Sequence, residues 1–188
     1  MDELPARLSK DLDGSFADLV REHQDLVFAV ALRVVRDGAS AEDVAQEAFV
    51  RAYRALKKYP LKRVLELSAR PWLAQITLNL ARNHIRARRL HGELDEMTER
   101  LPSVDDGPLR LAERRDDRRM WARLLYGLPA RYRTAVALRH VDGLSYEELA
   151  EALDRPVGSV KSDVHRGVAL LRAAYDAEQR VVAQKEAV

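Results

Sequence analysis

The sequence predicts an all-α protein made of two small helical domains joined by a flexible acidic linker, with a helix-turn-helix in the second domain. Three observations lead to this prediction. Apolar residues recur at steps of three and four along most of the chain, and no stretch shows the sustained strict alternation of a half-buried strand. Acids, prolines and a glycine interrupt that pattern near residue 100. Closer to the C-terminal end, two helical patterns flank a break at Asp154–Arg155–Pro156.

Composition excludes several classes of protein. The chain has 188 residues, with 32 Lys and Arg against 30 Asp and Glu, so its net charge of +2 indicates no particular partner. It has no cysteine, which excludes disulfides and thiolate metal sites. The first residues, MDELPARLSKDLDG, are too acidic and polar for a signal peptide, and the longest apolar run, residues 26–32, is too short to span a bilayer. We therefore expect a cytoplasmic protein without membrane insertion.

The first domain begins with two predicted helices. Phe16, Leu19 and the apolar residues up to Val34 have the spacing of an amphipathic helix, which Gly38 ends. Ser40 with Asp43 resembles a capping box for the second helix. The side chains that this helix buries are Ala45, Ala48, Phe49, Ala52 and Leu56.

A further helix is predicted over residues 71–90, with Pro71 in its first turn, after a segment at 57–70 that begins as a loop. At 100° per residue its two sides differ sharply. The apolar side carries Leu73, Ile76, Thr77, Leu80 and His84, and the polar side carries Gln75, Asn79, Arg82, Arg86 and Arg89. Three arginines without acids favour a nucleic-acid contact, and an ordinary solvated surface is the alternative.

The segment from Glu93 to Asp106 has six acids against one base. Pro102, Gly107 and Pro108 discourage regular structure there. This composition is typical of a linker between domains.

The second domain resumes the helical pattern near Leu109. Trp121, Leu124, Leu125 and Leu128 are expected to pack on one face, and Pro129 starts a helix that runs to about His140. The helix-turn-helix pattern follows, with Ser145 and Glu148 as a capping box and Ser159 as a cap for its second helix.

The second helix of this motif separates an apolar arc from a polar face. Val160, Val164, Gly167, Val168 and Leu171 share the arc, and the opposite face carries Lys161, Ser162, His165 and Arg166. Such a face lies in the DNA major groove in helix-turn-helix proteins, where these side chains reach base edges. Asp163 lies at the margin of the arc, where its charge repels a nearby phosphate. A purely structural pair of helices is the alternative.

No enzyme is predicted. The five histidines are scattered, and the chain has no H-E-x-x-H pattern, no P-loop and no glycine-rich nucleotide motif. We expect no catalytic residue, no metal site and no cofactor.

Three stretches resemble the extracytoplasmic-function sigma factors of bacterial RNA polymerase. They are AEDVAQEAFVRAYRAL, RPWLAQITLNLARNHIRARR and LPARYRTAVALRHVDGLSYEELAEALDRPVGSVKSDVHRGVALLR. Together the similarity covers residues 15–175. It implies sigma region 2 at residues 12–92, a linker at 93–113, sigma region 4 at 114–176 and a short tail at 177–188.

The resemblance also implies roles for individual residues. Asp43, Gln46, Glu47 and Arg51 match the helix that binds the clamp helices of the largest catalytic subunit, although the residues alone favour simple Glu47–Arg51 surface pairing. The family's helix that faces −10 promoter DNA is matched by Asn79, Arg82, Arg86 and Arg89. The family's positions that contact −35 DNA are matched by Lys161, Ser162, His165 and Arg166.

Several positions depart from the family pattern or need a separate interpretation. Residues 57–70 occupy the loop that grips an unstacked base, and Pro60, Leu65 and Leu67 make it more apolar than is common. Trp72 is expected in the core. Asp163 replaces a common basic residue, which predicts weaker phosphate contact or an altered −35 preference, and Asp154 replaces a turn glycine.

The implied partners are promoter DNA, the polymerase core with its clamp helices and the flap of its second large subunit, and an anti-sigma factor that holds the protein at the membrane. The alternative function is a conventional helix-turn-helix regulator that binds duplex DNA without polymerase.

Overall fold

The structure is a computed structural model that describes residues 4–90 and 112–186. Every regular element in these ranges is an α-helix, which confirms the all-α prediction. The helices are α1 (Leu4–Lys10), α2 (Leu12–Val35), α3 (Gly38–Leu56), α4 (Leu61–Leu65), α5 (Ala69–Leu90), α6 (Ala112–Gly127), α7 (Ala130–His140), α8 (Tyr146–Leu153) and α9 (Val157–Glu186).

The described helices form two compact units. α1 to α5 belong to the first unit, and α6, α7 and α9 to the second. α8 is divided, its residues 146–150 with the second unit and 151–153 with the first. The predicted linker, residues 93–113, lies almost wholly outside the described residues.

The first unit is built on three long helices, α2, α3 and α5, which pack against one another. α3 presents a seam of small side chains to this core, with Ala41, Ala48 and Ala52 each fully buried. Alanines at this spacing lie on one face of the helix and allow neighbouring backbones to approach closely. Ala45 and Phe49, which the sequence placed in the core, are only half-buried at its edge.

Two short helices of the first unit were not predicted. α1 precedes residue 12, and its Leu4 and Leu8 are buried against the same core. α4 lies inside the segment 57–70 and buries Val64, while Leu61 and Leu65 are 60% and 49% exposed. Both helices are too short to show a clear period in sequence, and burial of one to three side chains accounts for their formation.

The boundary between α2 and α3 differs from the prediction. α2 ends at Val35, and Arg36 adopts the left-handed conformation at φ 61°. Asp37 then caps α3, its carboxylate accepting the N–H of Ser40 at 2.8 Å. Gly38 therefore starts α3 rather than ending α2, and the predicted Ser40–Asp43 capping box is wrong, because Asp37 already supplies the acceptor that the first turn needs.

The core position of Trp72 is confirmed, since the side chain is 7% exposed. Its indole lies 6.0 Å from the ring of Tyr59, and the guanidinium of Arg63 stands 3.8 Å over that tyrosine. The segment 57–70 is thereby tied to α5 through aromatic contacts.

In the second unit, α6 packs against α7 and α9 and reaches the second half of α9. Trp121 stacks on Tyr175 with ring centres 5.0 Å apart, and Arg123 pairs with Glu178 at 2.6 Å. Trp121 remains 43% exposed, so the prediction that it packs in a core is only partly right. Its indole covers the ring of Tyr175 at the surface of the unit.

α9 packs closely against α7 at Gly167. A Cβ added there meets Val136 Cγ2 at 2.5 Å and the backbone oxygen of Tyr132 at 3.3 Å. The buried arc of α9 consequently centres on Gly167 and includes Asp163, whereas Val168, predicted to be buried, is 41% exposed.

None of the described helices combines the length and the apolar character that crossing a membrane requires.

We expect Gly167→Ala to destabilise the second unit by about 1–3 kcal/mol, because the added methyl group overlaps Val136. Hydrogen exchange measured by mass spectrometry will show reduced protection of α7 and α9, with α5 as an internal reference. Gly158→Ala is the matched control on the same helix, since no heavy atom lies within 4 Å of its added Cβ. Equal loss of protection in the two variants would contradict the close-approach argument.

Candidate nucleic-acid interface

A capping box and a left-handed residue mark the two ends of α8, the helix that precedes α9. The N–H of Ser145 donates to Glu148 Oε2 at 2.7 Å, and the N–H of Glu148 donates to Ser145 Oγ at 3.1 Å, which confirms the predicted capping box. Asp154 adopts the left-handed conformation at φ 51°, as its replacement of a glycine predicted. Ser159 does not cap α9, because the helix already begins at Val157, directly after Pro156.

The predicted −35 residues share one solvent-exposed surface on the first turns of α9. Lys161, Ser162, His165 and Arg166 are all exposed. The hydroxyl of Ser162 donates to the carbonyl oxygen of Gly158 at 2.9 Å, which leaves its lone pairs free to accept. The structure therefore brings the four residues together.

Lys161 is held by an aromatic ring of α8. Its Nζ lies 5.3 Å from the ring centre of Tyr146, and the guanidinium of Arg139 lies 4.9 Å from the same ring. The cation–π contact restricts the Lys161 side chain without neutralising its charge.

Asp163, expected at the margin of the apolar arc of α9, lies inside the buried face of that helix. Its side chain is fully buried, and its Oδ2 accepts a hydrogen bond from Arg131 Nε at 2.7 Å and another from an Nη of Arg155. Arg131 belongs to α7, and Arg155 to the turn before α9. The expectation that this carboxylate repels DNA is corrected, because two guanidiniums more than neutralise it.

The electrostatics of Asp163 follow from these contacts. Burial raises the pKa of its carboxyl, but the hydrogen bonds and charges of Arg131 and Arg155 outweigh burial, so the pKa lies below its ordinary value. The same hydrogen bond raises the pKa of Arg131. Asp163 is therefore ionised at neutral pH.

The polar side of α5 is exposed as predicted. Asn79, Arg82, Arg86 and Arg89 all face solvent, and Arg86 donates to Asn83 Oδ1 at 2.7 Å. On the opposite side Thr77 is buried and donates to the carbonyl oxygen of Leu73 at 2.7 Å. This segregation leaves three arginines on one helix surface.

The predicted polymerase-binding residues lie on the outward face of α3. Asp43, Gln46 and Arg51 are exposed, and Glu47 is half-exposed. Arg51 Nε donates to Glu47 Oε1 at 2.8 Å. An exposed pair of this kind stabilises the helix by only about 0.3–0.5 kcal/mol, so its groups remain available to a partner.

Within residues 4–90 and 112–186, no group of three or more His, Asp or Glu side chains has the arrangement of a metal site.

Sequence reasoning missed Arg131, Arg155, Arg139 and Tyr146. A signal for the first two was present, since Asp163 falls near the apolar arc of an amphipathic helix. A buried carboxylate requires cationic partners, and the arginine in the preceding turn was within reach.

Known families match most of the chain. Residues 19–91 match Sigma-70 region 2, and residues 118–171 match Sigma-70, region 4. The chain is 37% identical to the ECF RNA polymerase sigma factor SigE of Mycolicibacterium smegmatis over 84% of its own length and 60% of that relative. It is 32% identical to the ECF RNA polymerase sigma factor SigW of Bacillus subtilis, over 88% of this chain and 91% of the relative.

A solved structure has the same fold. CnrH, determined in complex with the cytosolic domain of CnrY, aligns with a TM-score of 0.67 at 26% identity, covering 93% of this chain and 96% of CnrH.

We expect Asp163→Asn to lower the free energy of unfolding of the second unit by about 1–3 kcal/mol at pH 7, because the charge-assisted hydrogen bonds weaken. The pKa of Asp163 is lowered in the folded unit, so the stabilisation is complete above the ordinary Asp pKa of about 4 and disappears as the pH falls through the lower folded value. Urea unfolding of both proteins across this pH range measures the difference. Glu147→Gln, at an exposed acid of α8, is the control. If the difference in unfolding free energy between wild type and Asp163→Asn did not change with pH, the ionised carboxylate would not be the source of the stabilisation.

Proposed function

The chain belongs to the extracytoplasmic-function sigma factors of bacterial RNA polymerase, and we propose that it binds core polymerase, recognises the −35 and −10 elements of a promoter and melts the −10 element. The observation that carries this proposal is the exposed surface of α9. Four side chains able to contact bases or phosphates stand on the first turns of α9. The preceding helix, α8, begins at the Ser145–Glu148 capping box, and the left-handed Asp154 turns the chain from α8 into α9.

Each unit has a separate part in this function. Lys161, Ser162, His165 and Arg166 contact −35 DNA, as the second helix of a helix-turn-helix does in the major groove. Asn79, Arg82, Arg86 and Arg89 contact −10 DNA, where arginines on phosphates supply salt-dependent affinity. Residues 57–70 receive an unstacked base, and the exposed Leu61 and Leu65 offer it apolar contact.

The domain limits belong to the same proposal. Region 2 extends over residues 12–92, the acidic linker over 93–113, region 4 over 114–176 and the tail over 177–188. The matched ranges, 19–91 and 118–171, lie inside the two domains and support this division.

Three protein partners follow. Asp43, Gln46, Glu47 and Arg51 bind the clamp helices of the largest catalytic subunit, offering charges of both signs. Region 4 binds the flap of the second large subunit. An anti-sigma factor is the third partner. A protein partner of this kind is supported by CnrH, which has the same fold and was solved bound to the cytosolic domain of another protein, CnrY. The protein acts in the cytoplasm, where such a partner holds it at the membrane, and it catalyses no reaction itself.

The alternative, a regulator that binds duplex DNA without polymerase, is not favoured. In such a regulator the first domain senses a ligand or dimerises, and a domain of that kind has no reason to match Sigma-70 region 2 over residues 19–91.

Transcription in vitro with purified bacterial core polymerase and a genomic promoter library tests the proposal. We expect specific initiation only when the protein is present, and a reduction of about tenfold or more for Lys161→Ala and for Arg166→Ala, since one direct base or phosphate contact contributes about 1–3 kcal/mol. Arg180→Ala, an exposed arginine far along α9, is the matched control and should initiate normally. Failure to initiate, together with a footprint on duplex DNA by the protein alone, would favour the regulator.

Core binding is tested separately by Arg51→Glu, which replaces the positive charge of Arg51 on the outward α3 face by a negative one and breaks its pair with Glu47. We expect the affinity for core polymerase to fall about tenfold or more, because like charges across an interface are unfavourable. Fluorescence anisotropy of a labelled protein titrated with core measures this. Arg21→Glu, the same reversal at an exposed position of α2, should bind core as the wild type does. Equal binding by the Arg51 variant would remove these residues from the interface.

A further inference from the structure

Two guanidiniums meet at a single carboxylate oxygen beside the exposed surface of α9. Arg131 uses its Nε and Arg155 one Nη, and both donate to Asp163 Oδ2. An arginine has five N–H donors, so each keeps several that are not engaged with Asp163. The Arg131 side chain is 57% exposed and that of Arg155 is 30% exposed, whereas Asp163 is fully buried. Both arginines therefore have donors within reach of a ligand in solvent.

The charge of this cluster exceeds what burial of Asp163 requires. One arginine neutralises the carboxylate, and the second leaves the cluster with a net charge of +1. The two arginines would otherwise repel each other and occupy many rotamers, since an arginine side chain has a large rotamer entropy. The carboxylate holds them together in the folded protein, so the ordering is complete before any ligand binds.

The position of the cluster indicates the ligand. Asp163 lies three residues before Arg166 on α9, and residues at this spacing are neighbours on a helix surface. The arginines thus border the surface that carries Lys161, Ser162, His165 and Arg166. When such a surface lies in the major groove, about 12 Å wide, the groups at its border face the phosphates of the groove wall.

We propose that Asp163 is a positioning residue that presents Arg131 and Arg155 together to one backbone phosphate bordering the −35 element. Two guanidiniums offer convergent, charge-assisted donors to the phosphate oxygens. This inference rests on the proposed function, since it requires α9 to enter the groove at that element.

The proposal reverses the expectation from charge alone. Asp163→Asn removes a negative charge near DNA and on Coulomb grounds should tighten binding. If the carboxylate positions the two arginines, the same change instead weakens binding, by about tenfold for one well-placed contact. Glu147→Gln changes the net charge equally at an exposed acid of α8 and should leave binding unchanged or slightly tighter.

The experiment uses holoenzyme reconstituted with bacterial core polymerase on a promoter recovered from the transcription assay. A single neutral methylphosphonate is moved along the −35 strands, and the affinity is measured for each template. With wild type we expect one linkage at the border of the element to weaken binding about tenfold. Asp163→Asn and Arg155→Ala should lose sensitivity to that linkage, whereas Lys161→Ala should keep it. A general loss of structure changes affinity for every template and cannot remove the sensitivity at one linkage alone.

Arg131→Ala and Arg155→Ala keep the proposal testable if Asp163→Asn does not fold, because each leaves Asp163 paired with the remaining arginine. Arg155→Lys retains the charge without the planar fork and should restore part of the sensitivity. If Asp163→Asn binds as tightly as wild type and keeps the sensitivity to the same linkage, the positioning role is wrong. If wild type itself shows no dependence on a −35 element, the proposed function fails first, and this inference fails with it.

Discussion

The second unit depends on the burial of one negative charge. A carboxylate without access to water must be paired and hydrogen-bonded, and Asp163 obtains both from Arg131 on α7 and Arg155 in the turn before α9. These contacts join three parts of the unit at one oxygen atom. With the close approach at Gly167, they fix how far α9 is rotated about its axis, and this rotation decides which side chains face solvent.

In the first unit, apolar packing likewise decides which side chains face solvent. The alanine seam of α3 directs one face into the core, so Asp43, Gln46 and Arg51 lie outside. α5 is divided likewise, with Thr77 and Leu73 inside and its arginine stripe exposed. In both units the surfaces assigned to partners are those that the cores leave uncovered.

The sequence was sufficient where a long helix has one clear period. It predicted the two sides of α5 and the capping box at Ser145–Glu148, because spacing and local hydrogen bonding decide these features. The burial of Trp72 was predicted by the family resemblance. The sequence was insufficient where contacts between elements decide which helices form and which side chains are buried. α1 and α4 form through tertiary burial, and the helix start at Asp37 outcompeted the one at Ser40. The burial of Asp163 in place of Val168 depends on arginines supplied by α7 and the turn.

α9 is one continuous helix of 30 residues, which at 1.5 Å per residue is a rod about 45 Å long. Its first turns carry the exposed polar surface, and its second half contacts α6 through the Trp121–Tyr175 stack and the Arg123–Glu178 pair. The helix is continuous between these two parts, so their orientations about its axis are coupled. A rotation of its first turns about the helix axis therefore moves Tyr175, several turns away, relative to the Trp121 ring on which it stacks. The contacts of α6 with Tyr175 and Glu178 therefore depend on how the first turns of α9 are oriented.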